Sequence, residues 1–259
     1  MKERCDIVVI GAGNMATQLS LALAVRGYCI RQVYSRTIVS AKNLASKISP
    51  DTLYTNNIAD IVTDAQLYIF SISDSALPHV IESMPSCGGV WVHTAGSMPM
   101  EVFASRTARY GVIYPMQTVS KERDIEWSCV PIFIEALTEK DTVFIESIAA
   151  SLSQHVTRCN SQQRQALHLA AVFACNFSNH MYAIAEKLLQ DQGLSFDAMH
   201  LLIRETSQKA QLISPRQAQT GPAVREDINV MNKHLAALGC TDEAELYRLI
   251  SNSIINYNK

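Results

Sequence analysis

The chain has 259 residues, a formal net charge of −2, seven cysteines and 48% hydrophobic side chains. That length supports one large or two modest domains with proper cores, and the lack of basic excess leaves a nucleic-acid partner without electrostatic support. Seven scattered cysteines with no Cys-x-x-Cys pair fit a reducing cytoplasm, and exclude a disulfide framework or a zinc site.

After Met1-Lys2-Glu3-Arg4 the chain enters an apolar run at 5–10, which predicts a buried strand and leaves no room for a signal peptide. The strand runs into Gly11-Ala12-Gly13-Asn14-Met15-Ala16, followed by a helix-like stretch at 17–26. Gly11 permits a tight turn, Gly13 has no Cβ to obstruct a pyrophosphate, and Ala16 lets the helix pack closely on the strand. The helix amino terminus then offers free N–H groups to the phosphates. A strand before and a helix after are the context that makes this glycine pattern a dinucleotide-binding motif.

A second strand at 30–34 ends at Ser35-Arg36-Thr37. An NAD site would place Asp or Glu there for the ribose 2′-OH. A hydroxyl and a guanidinium suit a 2′-phosphate instead, so NADP(H) is the expected cofactor. Thr37 also stands where it can cap the helix expected at 39–48.

Further helices are expected at 58–63, 75–84 and 138–153, and strands at 67–72, 89–93, 111–114, 130–135 and 155–158. Short apolar runs alternating with helices predict an α/β, doubly wound, mostly parallel Rossmann sheet with ligands beyond the carboxyl ends of its strands. Ser73 and Asp74 follow one such strand: Asp74 or Ser75 caps the next helix, while the backbone passes beside the cofactor ribose. His93-Thr94-Ala95-Gly96-Ser97 follows another, and its small residues let backbone approach the nicotinamide. Thr94, Ala95 and Gly96 are the expected cofactor contacts there. His93 or Ser97 either touches substrate or, for His93, is a hydrogen-bonded histidine at a strand end. Tyr114-Pro115-Met116-Gln117-Thr118 ends the sixth strand, with Pro115 stopping the ladder.

From Asn160 the pattern is helical almost throughout, giving expected domains at 1–158 for the dinucleotide and 159–259 for substrate and dimerisation. A single long helix over 161–190, apolar round its middle, predicts burial in a bundle or at a subunit interface. His168, Asn176, Asn179, His180, Glu186 and Lys187 interrupt it, so it does not read as a membrane span. Asn176, Asn179 and His180 recur at helical spacing; they either bond neighbouring helices or face a substrate. A helix at 196–213 carries Lys209. Thr220-Gly221-Pro222 looks like a helix start suited to a substrate carboxylate, with Asp227 early in that helix.

The whole chain resembles Rossmann-like NADP oxidoreductases with a helical carboxyl-terminal domain of unknown function. The matching stretches are residues 11–16, Ser73-Asp74, His93-Thr94-Ala95-Gly96, Tyr114-Pro115-Met116-Gln117-Thr118, Ala170-Ala171-Val172-Phe173-Ala174-Cys175-Asn176-Phe177, and residues 219–227 with His234. The wider group contains pyrroline-5-carboxylate reductase and 6-phosphogluconate dehydrogenase. That kinship implies a helical second domain forming a homodimer, and a small-molecule substrate. The β-hydroxyacid dehydrogenases of the group use a Lys-x-x-x-Asn pair, but Val172 and Cys175 stand four residues before Asn176 and Asn179, and no lysine precedes Lys187 on that helix. Lys209 or His180 is then the expected proton donor, with Asn176 and Thr220 holding substrate. The expected reaction is hydride transfer between NADPH and the C=N or C=O bond of a small carboxylate. A non-catalytic NADP(H) sensor and a deazaflavin-dependent NADP reductase are the alternatives.

Overall fold

The run Ile7-Val8-Val9-Ile10 sits at the centre of a sheet because both of its faces are apolar and both are covered. The computed structural model describes residues 5–121 and 123–258, and the chain divides into two compact units, Met1–Asn176 and Phe177–Lys259. In the first unit the elements run β1 (Asp6–Ile10), α1 (Asn14–Val25), β2 (Cys29–Tyr34), α2 (Ile38–Ile48), β3 (Leu53–Thr55), β4 (Leu67–Phe70), α3 (Leu77–Ser83) and β5 (Val90–His93). They continue through β6 (Tyr110–Pro115), β7 (Ile132–Ala136), α4 (Glu139–Leu152), β8 (Val156–Arg158) and α5 (Ser161–Ala171). The strands form one sheet in the order β3-β2-β1-β4-β5-β6-β7-β8. Every pairing is parallel except β6 with β7.

Side chains alternate between two cores, as a strand's two-residue period requires. Ile7 and Val9 of β1, Leu67 and Ile69 of β4, and Val90 and Val92 of β5 join the core that includes residues of α1, α2 and α4. Val8, Ile10, Tyr68, Phe70 and Trp91 point the other way, into a core with Leu77, Ile81 and Phe103. The expected doubly wound, mostly parallel sheet is therefore present. β3 leaves no signal in the sequence, because its three residues are too few to show a period and Leu53 and Tyr54 are exposed. The helix expected at 58–63 is a single 3-10 turn, Ile58–Asp60, whose Ala59 N–H is met by the Asn57 side chain.

The first unit extends past residue 158 because α5 is fastened to the sheet. Asn160 and Gln163 form a reciprocal capping box at its start. Arg164, fully buried, pairs with Glu135 of β7 and donates to the Met98 carbonyl. Glu135 also accepts from the Ser161 N–H and hydroxyl, both at 2.8 Å. The expected single helix over 161–190 is interrupted: Val172–Phe177 is π-helical, which inserts one residue per turn and breaks the 3.6-residue spacing between Asn176 and Asn179. Nor is it buried. Arg164 is the one buried residue of α5, and Leu169 is 60% exposed.

The second unit holds α6 (Ser178–Gln190), α7 (Asp197–Leu212), α8 (Pro215–Ala218), α9 (Ile228–Leu238) and α10 (Asp242–Asn258). Lys187 of α6 pairs with Glu243 of α10 at 2.7 Å, and His234 of α9 meets the Tyr247 hydroxyl at 2.9 Å. Thr220-Gly221-Pro222 does not open a helix: Gly221 adopts φ +114°, and the helix begins at Ile228. Asp227 is its cap, accepting from the Val230 N–H at 3.2 Å.

Candidate functional site

A cavity of about 810 Å³ lies across the carboxyl ends of β2, β1, β4, β5 and β6. It is lined in that order by Ser35-Arg36-Thr37, Gly11 to Met15, Ser71 to Asp74, Thr94-Ala95-Gly96, and Tyr114 with His168. The sequence-predicted cofactor-binding residues are thus gathered at one sheet edge, except Ala16, which is buried behind the turn where α1 packs on the sheet.

The two glycines of the turn differ in what restricts them. Gly11 has φ +124°, and a Cβ there would overlap the Ser71 carbonyl oxygen and lie 2.8 Å from its carbon. Its own N–H donates to the Tyr34 carbonyl at 2.8 Å, tying the turn to β2. Gly13 has φ −77°, and nothing lies within 4 Å of the place its Cβ would occupy. The protein itself does not need a glycine at 13, whereas a phosphate group approaching the turn does. Gly13 is the N-cap of α1, no side chain caps that helix, and its first turn carries no acidic residue. The backbone N–H groups there stay available to an anion. The Asn14 side chain is not: its amide donates to the Val119 carbonyl at 2.9 Å. Together with Gln18, which donates to Ser120 at 3.0 Å and Arg123 at 3.1 Å, it holds the loop after β6 against α1.

At the end of β2 the Arg36 side chain is exposed and has no carboxylate partner among the described residues. Thr37 occupies the N-cap position of α2, but its hydroxyl bonds to the Ser40 hydroxyl at 2.8 Å and does not cap the helix. Ser35, Arg36, Thr37 and Ser40 line the cavity, and of these side chains only the Thr37 hydroxyl is committed as a donor, to Ser40, among the described residues. These features fit an NADP-type dinucleotide: open N–H groups for the pyrophosphate and a free guanidinium for a 2′-phosphate.

At the end of β4 one expectation changes, and at the end of β5 the structure chooses between two. Asp74 does not cap α3, whose N-cap is Ala76 with no side-chain bond; it accepts from the Ser97 hydroxyl. His93 does not line the cavity. It is fully buried against Phe103, accepts the Ala95 N–H on Nδ1 at 3.2 Å, and stands with Nε2 3.3 Å from the Pro99 carbonyl. Those partners fix the neutral Nε2–H tautomer. Burial, aided by the Arg164 guanidinium, lowers its pKa to about 3. Its task is to shape the 94–99 loop. Thr94 joins β5 to β4 through its hydroxyl, which donates to Ser71 Oγ at 3.1 Å.

The residue that sequence reading missed is His168. Its Nδ1 lies 3.1 Å from the Tyr114 hydroxyl, with the two rings edge to face at 6.1 Å. It reaches the cavity because Arg164, one turn earlier on α5, is locked to β7. The only signal in the sequence was a polar break in an apolar helix. Asn176, at the end of the first unit, does not line this cavity, and His180, Lys209 and Thr220 belong to the second unit. Asn176, His180 and Thr220 are exposed. Thr220 lines instead an apolar cavity of about 300 Å³ within the second unit. Among the described residues no group of His, Cys, Asp and Glu is placed to hold a metal, and no helix is long and apolar enough to cross a membrane.

Residues 1–116 match a Rossmann-like domain family, and residues 130–254 match a domain of unknown function (DUF2520). No curated protein matches the sequence. A Bacteroides fragilis protein of solved structure, provisionally named an NADP oxidoreductase, is 46% identical over 98% of this chain and 99% of its own, with a TM-score of 0.91. Two more distant structures share the fold: a Thermotoga maritima protein (20% identity, 97% of this chain and 98% of that one, TM-score 0.71), and a 1-pyrroline-5-carboxylate reductase from Streptococcus pyogenes (12% identity, 98% of each chain, TM-score 0.62). With a full-length relative of that identity and both domains matched, the chain belongs to the family of Rossmann-like oxidoreductases that carry a DUF2520 carboxyl-terminal domain.

Proposed function

We propose that this protein is an NADPH-dependent oxidoreductase acting on the C=N or C=O bond of a small carboxylate. The observation that carries the cofactor choice is the end of β2, where Ser35, Arg36 and Thr37 line the dinucleotide cavity in place of an acidic residue. A carboxylate there would accept from a ribose 2′-OH and repel a 2′-phosphate; an unpaired guanidinium does the reverse. The 46%-identical relative named for NADP supports the same choice. When bound, the reduced cofactor supplies a hydride, and the protein's tasks are binding, orientation and electrostatics. The α1 amino terminus holds the pyrophosphate, Arg36 the 2′-phosphate, and the Thr94-Ala95-Gly96 backbone the nicotinamide end.

The second unit forms a homodimer in this reading. Its helices leave Leu201, Leu202, Leu212, Ile228 and Leu249 exposed, apolar side chains that a second copy would cover. Sedimentation at micromolar concentration should return twice the chain mass.

Calorimetric titration with NADPH and NADH, on the wild type and Arg36→Ala, tests the cofactor assignment. NADPH preference that collapses in the variant supports it. Equal affinity for both cofactors in the wild type overturns it.

A further inference from the structure

We propose that the Tyr114 phenol is the proton donor of this site, that His168 returns the proton to it, and that the bond reduced is a carbonyl. The inference rests on the oxidoreductase reading above and deepens it.

The position follows from the sheet. Phosphate-facing residues occupy the β2 and β1 ends of the cavity, so its other end, at β5 and β6, is where the reactive half of a dinucleotide and a substrate belong. Tyr114 and His168 line that end. Other titratable groups at the cavity are Tyr34 and Arg36 at the β2 end, and Asp74, which already accepts from Ser97. His93 is buried outside it, with both ring nitrogens engaged.

The pair is built rather than incidental. The Tyr114 hydroxyl and His168 Nδ1 stand 3.1 Å apart. Gly96 makes the seat for the imidazole: a Cβ at 96 would lie 2.6 Å from both Cγ and Nδ1 of His168. The ion pair of Arg164 with Glu135 sets the height of α5 against the sheet. Burial pushes the Tyr114 phenol up, with Cys175 acting in the same direction, while the Arg164 guanidinium opposes both. The phenol is thus protonated at neutral pH, and its anion, once formed, has a fixed cation to stabilise it. His168 is half-exposed, so its ring can exchange protons with solvent.

The proton balance selects the substrate. A protonated cyclic imine takes a hydride and becomes a neutral amine with no protein acid. A carbonyl that gains a hydride from the reduced nicotinamide places its π electron pair on oxygen, and that oxygen needs a proton. The Tyr114 O–H bond breaks to supply it, the His168 Nδ1–H bond breaks to restore the phenol as solvent protonates Nε2 of the same ring, and the neutral ring returns to its starting tautomer by proton exchange with solvent. The dihydronicotinamide is oxidised and the carbonyl becomes an alcohol. A poised donor is of use to the second reaction and idle in the first.

Two measurements test this on the full-length protein. In histidine nitrogen NMR, with His168→Gln identifying the signal, Tyr114→Phe should shift the His168 Nδ1 resonance, and Gly96→Ala should displace it as well. A His168 signal unchanged in Tyr114→Phe overturns the pair. In NADPH oxidation with a panel of small 2-oxo and cyclic imino carboxylates, Tyr114→Phe should lower kcat on a 2-oxo acid by about 100-fold or more. NADPH affinity by calorimetry should stay within twofold. Turnover confined to the imino acids, or a Tyr114→Phe kcat within threefold of wild type, overturns the proposal. Wild-type protein that binds NADPH and turns over nothing in the panel overturns the oxidoreductase reading, and the NMR result still judges the pair.

Discussion

Gly13→Ala should separate ligand binding from folding, because the two glycines of the turn face different things. At Gly11 a side chain meets protein: φ is +124° and a Cβ would overlap the Ser71 carbonyl. A residue forced into that region costs about 1–3 kcal/mol, and overpacking against backbone adds roughly 1–3 kcal/mol more. Gly11→Ala should therefore lower the Tm by roughly 10 °C. At Gly13 a side chain meets open cavity, and φ of −77° suits alanine. The reduced entropy of the unfolded chain stabilises by about 0.4–1 kcal/mol, and a poorer N-cap costs about as much, so the Tm should move little. The new methyl group stands where a pyrophosphate must come close to reach the α1 N–H groups. Losing one charge-assisted hydrogen bond costs about 1.5–3 kcal/mol, or roughly 10- to 100-fold in NADPH affinity. Calorimetric titration beside thermal denaturation of both variants reads the two quantities. A Gly13→Ala protein that binds NADPH within threefold of wild type, or melts as early as Gly11→Ala, would refute the reasoning.

Arg36→Ala should weaken NADPH by roughly 10- to 100-fold while leaving NADH within about threefold; added salt should narrow that gap in the wild type but not in the variant. Arg164→Met leaves Glu135 without its cation and should cost about 3–5 kcal/mol by denaturant unfolding; a cost below about 1 kcal/mol would mean that α5 is held by something else. His93 predicts an acid-labile fold. Its folded pKa, about 3, lies below the ordinary 6.5, so the unfolded chain binds the extra proton first. Stability is full above about pH 6.5 and falls as pH drops towards 3, by up to about 5 kcal/mol from this residue. Stability measured against pH should show a shallower slope over that window in His93→Asn, and an equal slope in both proteins would sink the assignment.

What could be read beforehand is what depends on neighbours along the chain. The strand, turn and helix over residues 5–26 are set by apolar run length, by glycine sterics and by an uncapped helix start. The same holds for Ser35-Arg36-Thr37, whose meaning follows from its distance after the turn and the absence of a carboxylate. Helical periodicity misled at 161–190, where a π segment changes the period without any proline or glycine to announce it. Thr220-Gly221-Pro222 carries the composition of a helix start, yet Gly221 uses its freedom for a positive φ, and Asp227 caps the helix six residues later.

By itself, the sequence determined a doubly wound sheet and the dinucleotide turn at its edge, since spacing and side-chain volume act locally. Only the tertiary structure decided the other end of the cavity. His93 and Tyr114 both stand at the carboxyl ends of apolar strands, and nothing local distinguishes the one sealed in the core from the one that lines the cavity. Tyr114 and His168 are 54 residues apart and meet because Glu135, on the antiparallel β7, fixes Arg164 and with it the pitch of α5. A buried ion pair of that kind sets geometry across the fold through contacts that no sequence period records.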